Sequence, residues 1–140
     1  MATPETIHKL FKAAFNAQDW AAYRALLHPD YTFMGGDGQL KTGGPDLGVG
    51  IAQMYSNAFP DAKLELLSLL TGPDMACVEM RATGTQTGAL MGVPPSGKRV
   101  DLRVVNIVEL KDGLILRERE YLDLMAMMIQ IGAVPAPAAA

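Results

Sequence analysis

The spacing of apolar positions changes once along the chain, from helical to alternating. Ile7, Leu10, Phe11, Ala14 and Phe15 recur at three- and four-residue intervals, which gives one apolar helix face. Thr3 is placed to cap that helix, with Pro4 at its first position and Glu5 in its first turn. "NAQD" breaks the pattern, and Asp19 is positioned to cap a second short helix through "WAAYRALL". His28-Pro29-Asp30 predicts a turn, because a residue before proline is pushed out of the helical region. "YTFM" predicts a short strand stopped by "GGDG". A third helix is expected over "DLGVGIAQMYSNAF", weakened by two internal glycines.

From Ala62 onward the period becomes two. "AKLELLSLL", "MACVEMRATGTQ", "RVDLRVVNIVEL" and "LILREREYL" read as four strands rich in Val, Ile, Leu and Thr. "KDG" predicts a tight hairpin between the last two. A closing helix, "LMAMMIQI", stops at Gly132. Residues 1–132 are thus expected to form one domain, and residues 133–140, "AVPAPAAA", a mobile low-complexity tail. Helices first and an antiparallel sheet afterwards predict an α+β fold with helices on one face of the sheet.

Strand parity locates the candidate chemistry. Pairing Leu110 near Leu114 across "KDG" sets Asn106 opposite Glu118 and Val104 opposite Glu120. Leu102, Val104, Asn106 and Val108 then share a face with Leu116, Glu118 and Glu120. The even positions Leu64, Leu66, Leu70, Ala76, Val78, Met80 and Ala82 are also apolar, whereas the odd ones carry Glu79, Arg81, Asp101, Arg103, Glu109, Arg117 and Arg119. Two carboxylates and an amide therefore fall on the face that should be dry. Burial raises a carboxyl pKa, which is how a general acid or base near neutral pH is obtained. A bulge that turned both glutamates outward, into an exposed ladder with the arginines, is the competing reading.

Composition narrows the alternatives. No run of ~18 apolar residues predicts a membrane span. Polar residues interrupt the N-terminus too often for a signal peptide. A formal charge of −3 without a basic tract gives no footprint for nucleic acid. With two histidines and one cysteine, no metal-ligand spacing is present and no internal disulfide can form, so a cytoplasmic protein is the simplest expectation. His8 is expected to face solvent and His28 to be structural, while Cys77 has no neighbour that would activate a thiolate. Gln86, at an even position, is a candidate hydrogen-bond donor to a ligand. Tyr55, Trp20, Met34 and Met91, with Phe15 and Tyr23, are candidate pocket-lining residues, ordinary core packing being the other use.

Residues 84–100, "GTQTGALMGVPPSGKRV", spend more residues between two strands than the two to five of a plain hairpin. Together with "NIVELKDGLI" and "YLDLMAMMIQIG", and with "FNAQDWAAYRALLHPDY" and "MYSNAFPDAKLELLSLL" earlier, this loop resembles the SnoaL-like polyketide cyclases over nearly the whole chain. The resemblance implies the cone-shaped α+β barrel of the nuclear-transport-factor-2-like superfamily, with helices and a curved, mainly antiparallel sheet enclosing an apolar pocket. It also implies a homodimer or higher homo-oligomer, and a loop near the pocket mouth. In such cyclases a carboxylate on the last strand acts as acid/base in an intramolecular aldol closure without metal or cofactor. That position falls on Glu120, where the cyclases have aspartate. Their partner histidine falls on Asn106, and a common "DH" pair is replaced by Phe33-Met34. "REREYLD" is also similar to the end of limonene-epoxide hydrolases, whose acidic residue again matches Glu120, although their full Asp-Arg-Asp set is not found.

Two hypotheses follow. The first is a cofactor-independent enzyme on an apolar small molecule, with Glu120 moving a proton, Glu118 as a second acid/base, and Asn106 and Gln86 orienting the substrate oxygen. The second is a pocket of the same fold that binds a small molecule, or an oligomeric interaction module, without catalysis. Asn106, which cannot titrate, and the apolar Phe33-Met34 favour the second.

Overall fold

Thr3 caps the first helix, α1 (Pro4–Ala17), in a box closed by Thr6: each threonine oxygen accepts the other residue's backbone N–H. The chain is described here by a computed structural model that covers residues 2–138; Met1 and the last two alanines of the tail lie outside the described residues. Asp19 caps α2 (Trp20–Ala25), its side chain accepting from the Ala22 N–H at 3.0 Å. The chain then runs straight into β1 (Leu27–Met34), so His28-Pro29-Asp30 lies inside a strand and forms no turn. Pro29 has no N–H for the ladder, and the pairing of β1 shifts register between Leu27 and Thr32 around it. A three-residue exposed strand, β2 (Leu40–Thr42), follows without any sequence pattern to announce it.

The remaining elements are α3 (Gly44–Ala58), β3 (Lys63–Thr71), β4 (Met75–Thr85), β5 (Arg99–Lys111), β6 (Leu114–Leu122) and α4 (Leu124–Gln130). The sheet runs β2-β1-β6-β5-β4-β3, with β1 parallel to β6 and every other pair antiparallel. Helix α1 lies over β3, β4 and β5, α3 over β1, and α4 over the start of β5. The result is an α+β cone with helices against one side of a curved sheet. Among the described residues, no helix is long and apolar enough to cross a membrane.

Two bulges decide which side chains enter the cone. The Asp112-Gly113 turn, both residues at positive φ, pairs Lys111 with Leu114 and Leu110 with Ile115. Continued unchanged, that register would set even residues of β5 opposite odd residues of β6. Leu116 is the extra residue that corrects it: beyond it Glu109 pairs with Arg117, Val108 with Glu118 and Asn106 with Glu120. The expected partners were thus displaced by two residues, which leaves the parity intact. Ile115, and not Leu116, is buried before the bulge, and Glu118 after it. A second bulge, at Leu67 in β3, turns Leu69 inward against Val78 and leaves Leu70 exposed, contrary to simple alternation. The outer face carries the charges, with Arg119 on Glu109 at 2.7 Å and Arg81 bidentate to Asp101.

Helix α3 tolerates its glycines because one of them is required. A Cβ on Gly48 would stand 2.5 Å from Leu27 Cδ1 and 2.9 Å from the Tyr31 ring. The helix therefore approaches β1 closely and closes over Tyr31, which is almost fully buried.

The long segment between β4 and β5 packs through Leu90 and Val93 into a core cluster of its own. Gln86 organises it: its Nε2 donates to the carbonyls of Val93 and Pro94, and its Oε1 accepts from the Ser96 N–H. Met91 and Gly92, both at positive φ, form a tight turn between Leu90 and Val93. Leu90 is driven into a second core cluster with Phe59, Val100, Leu102, Met127 and Ile131.

Candidate active site

Between α1, α3 and the concave sheet face lies a cavity that offers about 110 Å³ to the centres of water molecules, room for several waters or an organic ligand. Its wall is apolar and aromatic, with Phe11, Phe33, Phe59, Met80, Val104 and Leu102 among the lining residues. Five elements bring these polar groups to it: His8 from α1, Tyr23 from α2, Tyr55 from α3, Asn106 from β5, and Glu118 and Glu120 from β6.

A hydrogen-bonded chain runs through the buried part. His8 Nε2 lies 2.9 Å from Asn106 Oδ1, so the imidazole donates there as its Nε2–H tautomer. Asn106 Nδ2 donates to Glu118 Oε2 at 2.7 Å, and the Tyr31 hydroxyl donates to Glu118 Oε1 at 2.5 Å. Both oxygens of Glu118 thus receive a proton donor. Glu120, two residues on along the same strand face, receives none from the described residues. Among the same residues, the hydroxyls of Tyr23 and Tyr55 have no hydrogen-bond partner either.

Electrostatics separates the two carboxyls. Burial pushes Glu118 upward, while the donors from Tyr31 and Asn106 pull it back toward the anion. Glu120 has no such donors; burial, and then the neighbouring Glu118 charge, push it up to about 8. The two carboxyls titrate as a pair, and Glu120, which lacks donors and lies beside the Glu118 charge, is the one held higher by its neighbour. Burial lowers His8, with Lys12 nearby acting in the same direction against the Asn106 bond, which keeps the imidazole neutral. Burial and the two carboxylates push the Tyr23 and Tyr31 hydroxyls upward, and burial and Glu120 do so for Tyr55. All three phenols stay protonated and able to donate.

The structure gathers Glu118, Glu120, Asn106 and Tyr55 in this cavity and leaves four other candidates out of it. Gln86 is fully buried but spends its amide on the loop backbone. Met91 projects from the loop turn, half exposed. Trp20 stacks edge-on against Phe15 and Tyr23 behind the wall. Met34 lies on the face opposite to Phe33, and it is Phe33 that lines the cavity, next to Glu118 in the β1–β6 pairing. Asn106 does not present a free amide to a ligand, because His8 and Glu118 engage both its ends.

His8 is the largest departure from the sequence reading, being buried and not solvent-facing. The helix face was centred one position astray: Leu10 is exposed, whereas Pro4, Ile7, His8, Phe11 and Ala14 are buried. At ~100° per residue, a wheel centred on Phe11 places His8 inside the apolar arc and Leu10 outside it. Tyr31 was missed because its role depends on β1 lying beside β6, a parallel pairing that alternation cannot reveal. His28 is structural, its Nδ1 accepting from the Asp30 N–H. No three His, Cys, Asp or Glu side chains among the described residues are grouped to hold a metal ion.

Comparison with known proteins agrees with this architecture. The sequence profile described as SnoaL-like polyketide cyclase matches residues 5–131. A candidate SnoaL-like polyketide cyclase from Jannaschia sp. CCS1 is 30% identical, with a TM-score of 0.84 over 94% of this chain and 92% of that one. TsrD from Streptomyces laurentii is 26% identical, with a TM-score of 0.81 over 93% and 95% of the two chains. AclR, a candidate hydroxylase from Streptomyces galilaeus, shares the fold at 23% identity, with a TM-score of 0.84 over 96% of this chain and 84% of that one. No curated protein matches the chain.

Proposed function

The chain belongs to the SnoaL-like polyketide cyclase family, and from that premise we propose that it is a cofactor-independent acid/base enzyme acting on a small, largely apolar carbonyl compound. The observation that carries this reading is the unpartnered carboxyl of Glu120, set in an apolar cavity beside a Glu118 whose oxygens are both occupied. A carboxyl that titrates at about 8 is basic enough to take a proton from a carbon next to a carbonyl and acidic enough to return it.

In an aldol-type closure the steps balance without a metal or redox partner. Ionised Glu120 removes the α-proton, and the enolate carbon bonds to a second carbonyl carbon of the same molecule. The new alkoxide then takes the proton back from Glu120. Tyr23 and Tyr55, with free hydroxyls on the cavity wall, are the donors available to an enolate or alkoxide oxygen. His8, Asn106 and Tyr31 act through Glu118: they hold it in place and favour its charge, which in turn keeps the Glu120 pKa high. They are positioning residues. Ketone isomerisation uses the same proton transfers. The epoxide-hydrolase alternative gains no support, since no arginine lines the cavity.

A direct test is deuterium exchange at the α-carbons of 2-tetralone, an apolar ketone, followed by NMR in D₂O. The wild-type protein is expected to accelerate exchange and Glu120→Gln to lose ~10²–10⁴-fold of that rate, with ligand binding retained. Equal exchange by both proteins, with binding intact, would favour a non-catalytic binding pocket.

A further inference from the structure

The charged side chains that line the cavity are sorted by depth. Glu118 and Glu120 lie inside it, whereas Lys12 is half-buried and Lys63 exposed at its rim. Neither lysine has a carboxylate within ion-pair distance among the described residues, unlike Lys9 on Glu5 and Lys41 on Asp37. Their placement is fixed by a clasp between α1 and β3. The Asn16 side chain accepts from the Leu64 N–H at 2.8 Å and donates to the Leu64 carbonyl at 3.0 Å. Lys12 lies one helical turn before Asn16, and Lys63 immediately precedes Leu64, so the clasp holds both cations on adjoining elements of the cavity lining.

We propose that the substrate is an apolar small acid, bound with its ring body in the cavity and its carboxylate on Lys12 and Lys63. The proposal rests on the cavity being the reacting site described above and specifies what enters it. An anion carried inward would lie against the carboxyls of Glu118 and Glu120 in an apolar cavity, where it loses its hydration and meets no cation. At the rim the same anion meets two cations and keeps much of its hydration. Charge therefore fixes the direction of entry: the neutral end goes in first, toward Glu120, and the carboxylate stays behind at the mouth. An uncharged substrate of the same shape would lack that orientation.

The test uses 2-naphthoate and 2-naphthamide, which share a ring system and differ in charge, titrated into the full chain at pH 7 and low salt. Naphthoate is expected to bind at least tenfold more tightly. In the Lys12→Met/Lys63→Met variant the ratio is expected to fall to within about twofold, with the amide affinity little changed. Lys63→Met alone, at an exposed position, should give an intermediate ratio and guards against misfolding of the double variant. High salt should narrow the wild-type ratio in the same way. Equal binding of the two rings, tighter binding of the amide, failure of both to bind, or a ratio unaltered by the substitutions would overturn the proposal. Tetralone exchange reads Glu120 separately. Naphthoate preference without Glu120-dependent exchange sinks the catalytic reading alone, and exchange without preference sinks the acid-substrate proposal alone.

Discussion

Glu118 and Glu120 sit two positions apart on one strand face, and what distinguishes them is what touches their oxygens. Glu118 accepts from Tyr31 and Asn106, whereas Glu120 accepts from neither. The charge retained on Glu118 is a cause of the high Glu120 pKa, second to burial. Removing that charge in Glu118→Gln should therefore lower the Glu120 titration midpoint, seen in the carboxyl carbon shift against pH. Tyr31→Phe should act in the same direction, because Glu118 then holds its proton longer and Glu120 ionises first. His8 supports the arrangement from the other end. His8→Ala leaves the buried Asn106 oxygen unpaired and should cost ~1–3 kcal/mol in urea unfolding, with a reduced exchange rate. At this scale the sequence named both glutamates, Asn106 and Tyr55 by parity and position. It did not reveal His8 or Tyr31, whose significance lies in partners 98 and 87 residues away.

At the level of elements, the inward direction of both glutamates depends on the bulge that absorbs one residue of β6. Leu116 is that extra residue, and a further alanine inserted between Arg117 and Glu118 would shift both glutamates by one and should send them to the charged outer face. Loss of exchange activity and a Glu120 titration near the ordinary value of ~4.3 are the expected outcomes. The bulge itself left no mark in the sequence. The parity argument reached the right face with partners displaced by two, and a displacement of one would have reversed it. Alternation located β4 to β6 well because each is long and half-buried, and β3 through its run of leucines although it is mostly exposed. It missed β2, which is short and wholly exposed, and it read Pro29 as a turn when the ladder merely slips around it. Gly48 is an element-scale constraint of another kind. Gly48→Ala would push α3 off Leu27 and Tyr31 and should cost ~1–3 kcal/mol, measured by the shift of the urea midpoint.

For the whole molecule, a cone with two carboxyls in its dry interior must lose stability as they ionise. The folded Glu120 holds its proton to about pH 8, while an unfolded glutamate releases it near 4.5. Stability is greatest below the unfolded value, falls as pH rises from there through about 8, and is then constant with respect to this group. Glu120→Gln should leave stability unchanged near pH 4 and raise it by ~2–4 kcal/mol at pH 9, from ~1.4 kcal/mol per pKa unit with allowance for cavity water. The same cost would account for an acid kept in a place where packing alone would favour an apolar side chain. The α+β cone and its family were legible in the sequence because patterning and motifs extend over nearly the whole chain. The cavity's contents were only half legible, since they arise where α1, α2, α3, β5 and β6 converge.

The most direct test of this account is a pH titration of the Glu120 side-chain carboxyl carbon by NMR, assigned with Glu120→Gln and repeated in Glu118→Gln. The account predicts a wild-type midpoint near 8 that moves down when Glu118 loses its charge. A midpoint at the ordinary glutamate value, unmoved by Glu118→Gln, would contradict it and leave the cavity without an acid/base group suited to neutral pH.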